Sequence, residues 1–144
     1  MAANTAPIFT LTPRTSWVNP AAGASSTSAA TLSTQAASVA HSLFTAGSVG
    51  SYVQSIKIQP MGTNPQAVVR MYVNDGGATT TASTSAMIGE ITVPATTASA
   101  NAAIVSFEQP INKAIQAGYK IYVTFAASTA FTAGFQFTCF AGDY

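Results

Sequence analysis

Short apolar segments, rich in β-branched and aromatic residues, recur every 12 to 18 residues from residue 39 onward, separated by glycine, proline or small polar residues. The segment Tyr52–Gln59 is typical, because Ile56 and Ile58 alternate with Lys57 and Gln59. A period of two places alternate side chains on opposite faces of a strand. No apolar stripe repeats at helical spacing. We therefore predict an all-β chain, an antiparallel β-sandwich or jelly roll of about eight strands.

The first residues of the chain differ from the rest. An apolar stretch, Pro7–Leu11, is followed by Pro13 and Pro20, and prolines at this spacing prevent a helix and favour extended backbone. We predict that residues 1–24 form an extended N-terminal arm or edge strand and that residues 25–144 form a single β-sandwich domain.

Two local features of the C-terminal half lead to further predictions. Residues 103–108 are predicted to form a strand that ends at Pro110, and residues 111–117 have room for one helical turn before Gly118. In the last strand, predicted over residues 131–140, Gly134 is expected at a β-bulge.

Charge is unusually sparse. Five basic and four acidic side chains give a formal charge of +1, and Ala, Thr and Ser together occupy 63 of the 144 positions. A folded chain of this size exposes about 6,900 Å², so charged groups are much sparser than on an ordinary soluble monomer. We interpret this surface as one that other protein covers.

The same composition excludes several classes of function. Without a cluster of Lys and Arg the chain lacks the charge to neutralise nucleic-acid phosphates. No apolar run approaches the roughly 18 residues that span a bilayer, and the first residues lack the features of a secretory signal. We therefore expect neither nucleic acid nor a membrane as a partner, and synthesis in a cytoplasm.

Groups that could carry catalysis are few. His41 is the only histidine, and a serine–histidine–carboxylate triad would need Asp75, in a turn motif, or Asp143, next to the C-terminus. We expect His41 to be structural. No Gly-x-Ser-x-Gly motif is present.

The other reactive candidates also have simpler explanations. Glu90 and Glu108 would be the carboxylate pair of a glycosidase, but the favoured interpretation is that they face solvent or pair with Arg70 or Lys120 across strands. Cys139 is expected to be a small buried side chain. The acidic residues and the histidine show no metal-ligand spacing. We expect no enzyme activity, no cofactor and no metal.

Aromatic residues suggest a different function. Trp17 lies in the proline-flanked arm, where it anchors the arm either to its own domain or to a neighbour; both alternatives stay open. Together with the tyrosines of the strands it is also a candidate platform for stacking on carbohydrate rings, although strand aromatics that alternate with Val and Ile more often belong to the core.

Several segments, in order along nearly the whole chain, resemble a family of small structural proteins from tailed bacteriophages and prophages. These segments are Asn4–Pro13, Phe44–Ile56, Val69–Gly76, Ile88–Thr97, Ala117–Ile121 and Ala141–Tyr144. Small β-sandwich proteins of this kind are often capsid decoration (cement) proteins, commonly homotrimers, and others are head or tail fibre components.

The resemblance implies a virion protein on the capsid surface, synthesised in the host cytoplasm, with the major capsid protein and further copies of itself as partners. It implies no catalytic residues. A receptor-binding module that recognises host glycans is the alternative. We expect the arm to supply the interface, because an extended segment can add a strand to a neighbour; the interface residues predicted are Pro7, Ile8, Phe9, Leu11 and Trp17.

Overall fold

The computed structural model describes residues 10–20, 40–79, 82–127 and 131–144. These residues form eight strands and one short 3-10 turn, Ala82–Thr84. The strands are β1 (Thr12–Val18), β2 (His41–Thr45), β3 (Ser51–Pro60), β4 (Ala67–Asn74), β5 (Ser85–Val93), β6 (Phe107–Ile115), β7 (Lys120–Ala127) and β8 (Phe135–Asp143).

The strands form two antiparallel four-stranded sheets. Sheet A has the order β1-β8-β3-β6, and sheet B has the order β2-β7-β4-β5. Of the seven connections between successive described strands, only β4 to β5 stays within one sheet, and every other connection crosses to the opposite sheet. This topology is the eight-stranded jelly roll, so the predicted fold class is confirmed.

The core lies between the sheets and follows the period of two. On β3, Val53, Ile56 and Ile58 are fully buried, whereas Lys57 and Gln59 lie on the outer face. A register shift between Val53 and Ser55 changes which positions face inward, since it adds a residue to the strand. Burial therefore alternates on both sides of the bulge, and the buried positions change from odd-numbered to even-numbered residues across it.

Aromatic rings fill one part of the core. Phe125 lies at the centre of this cluster, with its ring centroid 4.7 Å from that of Phe131, 6.0 Å from Phe135 and 6.3 Å from Phe137. His41 stacks on Phe125 at 5.4 Å with a 9° angle between the ring planes. Such offset ring pairs add to the free energy gained by burying their surface.

The region around Pro110 differs from the sequence-based prediction. Residues 103–106 form no strand, and β6 begins at Phe107 and continues through Pro110 to Ile115, where one helical turn was expected. A proline is tolerated because β6 is an edge strand, whose outer N–H groups have no ladder partner. Asn112 has φ 49° at the register irregularity of this strand.

The predicted bulge at Gly134 is also wrong. Gly134 precedes β8 and has φ 77°, a left-handed conformation that glycine adopts without steric cost. The glycine therefore belongs to the turn that leads into the strand.

The N-terminal region contributes an integral strand. β1 pairs with β8 from Thr12↔Asp143 to Val18↔Phe137 and forms one edge of sheet A. The backbone N–H of Leu11 also donates to the carbonyl oxygen of Asp143 at 2.8 Å. Residues 1–9 and 21–39 lie outside the described residues, so the division between an arm over 1–24 and a domain over 25–144 stays a prediction.

Candidate functional site

The outer face of sheet A carries the predicted interface residue Trp17. On β1, Arg14, Ser16 and Val18 are less exposed than Thr15 and Trp17, which alternate with them. The indole is 64% exposed and lies beside Thr138 of β8. Trp17 is therefore displayed to solvent and does not anchor β1 to the core of its own domain.

The other predicted interface residues begin just before β1. Leu11 is 81% exposed, so burial within its own domain does not explain this leucine. Pro7, Ile8 and Phe9 lie outside the described residues. What these five residues contact in an assembly stays a prediction.

Large apolar side chains are exposed at several other places. Val49, Met61, Met87 and Val105 are 50–69% exposed, and they lie in the β2–β3 loop, after β3, on β5 and before β6. Nine formally charged side chains share a surface of 7588 Å², or about one per 840 Å². The exposed surface therefore combines little charge with large apolar groups.

A polar cluster holds one end of the sandwich together. Asp143 forms an ion pair with Arg14 at 2.6 Å and accepts a hydrogen bond from Ser51 Oγ. The backbone N–H of Gly47 donates to Ser51 Oγ at 3.0 Å, and the Arg14 guanidinium lies 5.3 Å from the centre of the Phe44 ring. The Ser51 hydrogen bond, helped by Arg14, holds the pKa of Asp143 below its ordinary value against the opposing effect of burial.

This cluster connects β1, β3, β8 and the loop after β2. Asp143, the acidic residue next to the C-terminus, therefore has a structural role. Asp143 is therefore engaged by Arg14 and Ser51, and it does not orient a histidine. Asp75 accepts a hydrogen bond from the backbone N–H of Gly77 at 2.8 Å within its turn.

His41 lies in the aromatic core, where its Nε2 atom is buried and has no hydrogen-bond partner. Burial lowers the pKa of His41, since desolvation disfavours the charged imidazolium. Neither Asp75 nor Asp143 is bonded to the ring, so the structure assembles no catalytic triad from these residues.

The two glutamates considered as a catalytic pair lie in different sheets. Glu90 of β5 forms an ion pair with Arg70 of β4 at 2.6 Å, the cross-strand pairing that the sequence favoured. Glu108 of β6 instead accepts a hydrogen bond from Ser55 Oγ at 2.5 Å, and Lys120 is not its partner. Each carboxylate is thus bound to a neighbour on its own sheet.

Cys139 is fully buried on β8, and burial raises the pKa of its thiol to about 12. A thiol in this state forms almost no thiolate at neutral pH and is a poor nucleophile. Among residues 10–20, 40–79, 82–127 and 131–144, no group of three or more His, Cys, Asp or Glu side chains could hold a metal ion. The described part of the chain also has no helix with the length and apolar character needed to cross a membrane.

An apolar groove opens where the edge strands of the two sheets meet. It has a volume of about 280 Å³ and is lined by Val73, Ile88, Ala114, Ile115 and Tyr119, together with Lys113 and Gln116. Ile88 is the residue left unpaired where the register of β5 shifts, between Met87↔Tyr72 and Gly89↔Met71. The bulge therefore contributes a wall of the groove.

The four sheet edges differ in how well they could pair with another strand. β1 contains Pro13, and β6 contains Pro110 and the left-handed Asn112. β2 has only five residues with a register shift. β5 has nine residues and no proline, and its one charged residue, Glu90, is already paired. Of the described strands, β5 thus has the least protected edge.

Sequence reasoning missed one structural residue, Asn64. Its side chain is 3% exposed, donates from Nδ2 to the carbonyl of Gly134 at 2.8 Å and accepts from the N–H groups of Ala133 and Gly134 at 3.0 Å. Its backbone also pairs with Thr96 in both directions. Asn64 therefore ties three loops together, while the sequence Thr63–Pro65 signals only a turn.

No family model matches the chain, and no curated protein matches it. Among solved structures, a chain of infectious bursal disease virus strain Gx is 11% identical, with a TM-score of 0.39 over 97% of this chain and 37% of that chain. A chain of strain Gt is 12% identical, with a TM-score of 0.35 over 96% and 36%. A mutant VP2 protein of the same virus, in derived T=1 particles, is 13% identical, with a TM-score of 0.31 over 99% and 40%. The chain spans less than half of each of these proteins, and similarity at this level carries no conclusion about function.

Proposed function

We propose that this protein is a structural component of a bacteriophage virion, a capsid decoration (cement) protein that binds and stabilises the shell of the major capsid protein as a homotrimer. It acts at the capsid surface by contact alone, without catalysis, cofactor or metal. The segments that resemble small structural proteins of tailed phages support the virion setting.

The observation that carries the proposal is the chemistry of the exposed surface. Leu11, Trp17 and Val49 are each more than 60% exposed, on a molecule with about one charge per 840 Å². Burying such a surface against protein removes apolar area from water and desolvates few charges. The core of protein interfaces is likewise depleted of charge and rich in aromatic residues.

Five of the nine charged side chains have a side-chain partner within the subunit, which supports the same conclusion. Arg14 is paired with Asp143, Arg70 with Glu90, and Glu108 with Ser55. Because these charged groups already have partners within the subunit, they keep those partners when a neighbouring protein covers the surface. A lattice protein has to cover several faces at once, and this surface suits that requirement.

The direct test is sedimentation of the purified protein with heads of the encoding phage that lack it. We expect saturable binding at a fixed ratio to the major capsid protein and an increased resistance of the heads to heat. The variant Trp17→Ala is expected to bind more weakly, while Thr15→Ala, one step away on the same outer face, should bind like the wild type. Absence of binding to heads would contradict the proposal.

The alternative, a head or tail fibre module that recognises host glycans, is favoured by one observation. Trp17 presents a 64% exposed indole on a sheet face beside Thr138, and exposed aromatic rings stack on sugars. Binding of host surface polysaccharide that Trp17→Ala abolishes, together with a low copy number per particle, would support this alternative.

A further inference from the structure

The groove between β5 and β6 and the free edge of β5 form one continuous surface, which we call the β5 acceptor site. Its floor is apolar, formed by Val73, Ile88 and Ile115. Its rim is a strand with unpaired backbone groups on its outer side, since β4 is the only ladder partner of β5 among the described strands. The backbone of an extended apolar segment would pair with the free edge of β5 as an added strand, and its side chains would be buried against the apolar floor.

The chain contains such a segment next to the start of the described residues. Nine residues precede Thr10, and the last three, Pro7-Ile8-Phe9, are apolar. Thr10 lies against Gly142 of β8, where a Cβ on Gly142 would come within 2.6 Å of the Thr10 Cβ. Gly142 is in register with Tyr52 of β3, which is in register with Ala114 in the groove wall. The segment thus begins at the level of the groove.

Distance decides which copy of the groove this segment can fill. Strand β6 lies two strand spacings, about 9.5 Å, from β8, and sheet B lies about 10 Å from sheet A. Because these two displacements are perpendicular, β5 lies about 14 Å from the start of the segment. An extended chain covers at most about 3.5 Å per residue. The Cα atoms of Phe9 and Ile8 therefore lie at most about 3.5 and 7 Å from that of Thr10, too short a reach for their backbone to pair with β5 of their own subunit.

We propose that Pro7-Ile8-Phe9 of one copy occupies the β5 acceptor site of a second copy, with the side chain of Ile8 or Phe9 in the groove. The inference rests on the proposed function, because it supplies the contact that would hold the homo-oligomer together. The segment Pro7-Ile8-Phe9 and the β5 acceptor site are different surfaces of the subunit, so the contact is heterologous. Repeated around a rotation axis, it closes into a ring such as a trimer.

The test is a disulfide between the two surfaces in the full chain. The double variant Ile8→Cys/Ala114→Cys, oxidised mildly, should give covalent dimers and trimers on a non-reducing gel. Each single variant should give no species above a dimer. Cys139 is buried with a raised pKa and adds no background. An internal disulfide within monomers, or free thiols in an intact oligomer, would overturn the inference.

A second measurement does not depend on disulfide geometry. The variant Ile8→Asp/Phe9→Asp should change the mass in light scattering from that of the oligomer to that of the 14.6 kDa chain, with an unchanged far-UV circular dichroism spectrum. Val105→Asp is the matched control, since it places a carboxylate at an exposed apolar position before β6, at the end of that strand away from the groove, and should leave the oligomer intact. An oligomer that survives the double aspartate would refute the arm contact and leave the capsid proposal standing. A wild-type chain that is monomeric at all concentrations would refute the arm contact and the homotrimer together.

Discussion

Removal of the Asn64 side chain should destabilise the protein strongly, because this buried amide makes three hydrogen bonds to another loop. In Asn64→Ala, three side-chain hydrogen bonds are lost, one to the carbonyl of Gly134 and two from the N–H groups of Ala133 and Gly134. A net contribution of about 1 kcal/mol for each bond gives about 3 kcal/mol, and more if the buried partner groups stay unsatisfied. Domains of this kind have a total stability of about 5–15 kcal/mol, so the loss is a large fraction.

The assay is urea unfolding followed by fluorescence, with the midpoint and slope fitted together. A loss of about 3 kcal/mol corresponds to a decrease in Tm of roughly 6–12 °C for a chain of this length. Asn64→Asp keeps the acceptor, but it buries a carboxylate and places an oxygen where Nδ2 lies 2.8 Å from the Gly134 carbonyl oxygen, so at pH 7 it should destabilise the protein at least as much as Asn64→Ala. Asn101→Ala, at an exposed asparagine, is the control and should change the free energy of unfolding by less than about 0.5 kcal/mol. A loss below about 1 kcal/mol in Asn64→Ala would refute the idea that this side chain holds the three loops together.

Three further predictions concern side chains whose environments are unusual. The free energy of unfolding should fall as the pH decreases from 7 to 5, because His41 takes up a proton near pH 6.5 in the unfolded state, while burial lowers the pKa of His41 in the folded state. The variant His41→Phe, which keeps a ring stacked on Phe125, should lose most of this pH dependence. An unchanged pH dependence in this variant would show that His41 is not its source. Cys139 should not react with a thiol reagent at pH 8 until the protein unfolds, since its pKa is about 12; rapid labelling of the native protein would show that β8 is accessible. Trp17→Ala should leave the Tm within about 2 °C of the wild type, because the indole is 64% exposed, and a larger loss would mean that Trp17 packs within its own subunit.

The sequence predicted strands best where one face is buried and the other exposed. Strand β3 (Ser51–Pro60) was located from the segment Tyr52–Gln59 to within one residue at each end, because Ile56 and Ile58 alternate with polar side chains. β6 was misplaced for the opposite reason. Most of its side chains are exposed, and Pro110 looks like a terminator when neighbouring strands are unknown.

Features that depend on distant parts of the chain were not predictable in this way. The strand order, which makes the sandwich a jelly roll, comes from pairing between residues such as Thr12 and Asp143. The same holds for the β5 acceptor site, whose walls come from three separate strands and Tyr119. By contrast, the small number of charged side chains and the presence of a single histidine, His41, are properties of the composition, so the argument against catalysis was available from the sequence.

The central claim is that this protein acts by covering, and being covered by, other protein on a phage capsid. Quantitative mass spectrometry of purified particles tests it most directly, by giving the ratio of this chain to the major capsid protein. We expect a high copy number at a fixed ratio, as for one homotrimer at each equivalent lattice site. A few copies per particle, or none, would contradict the decoration function, and the few-copy result would favour a fibre component that binds host glycans.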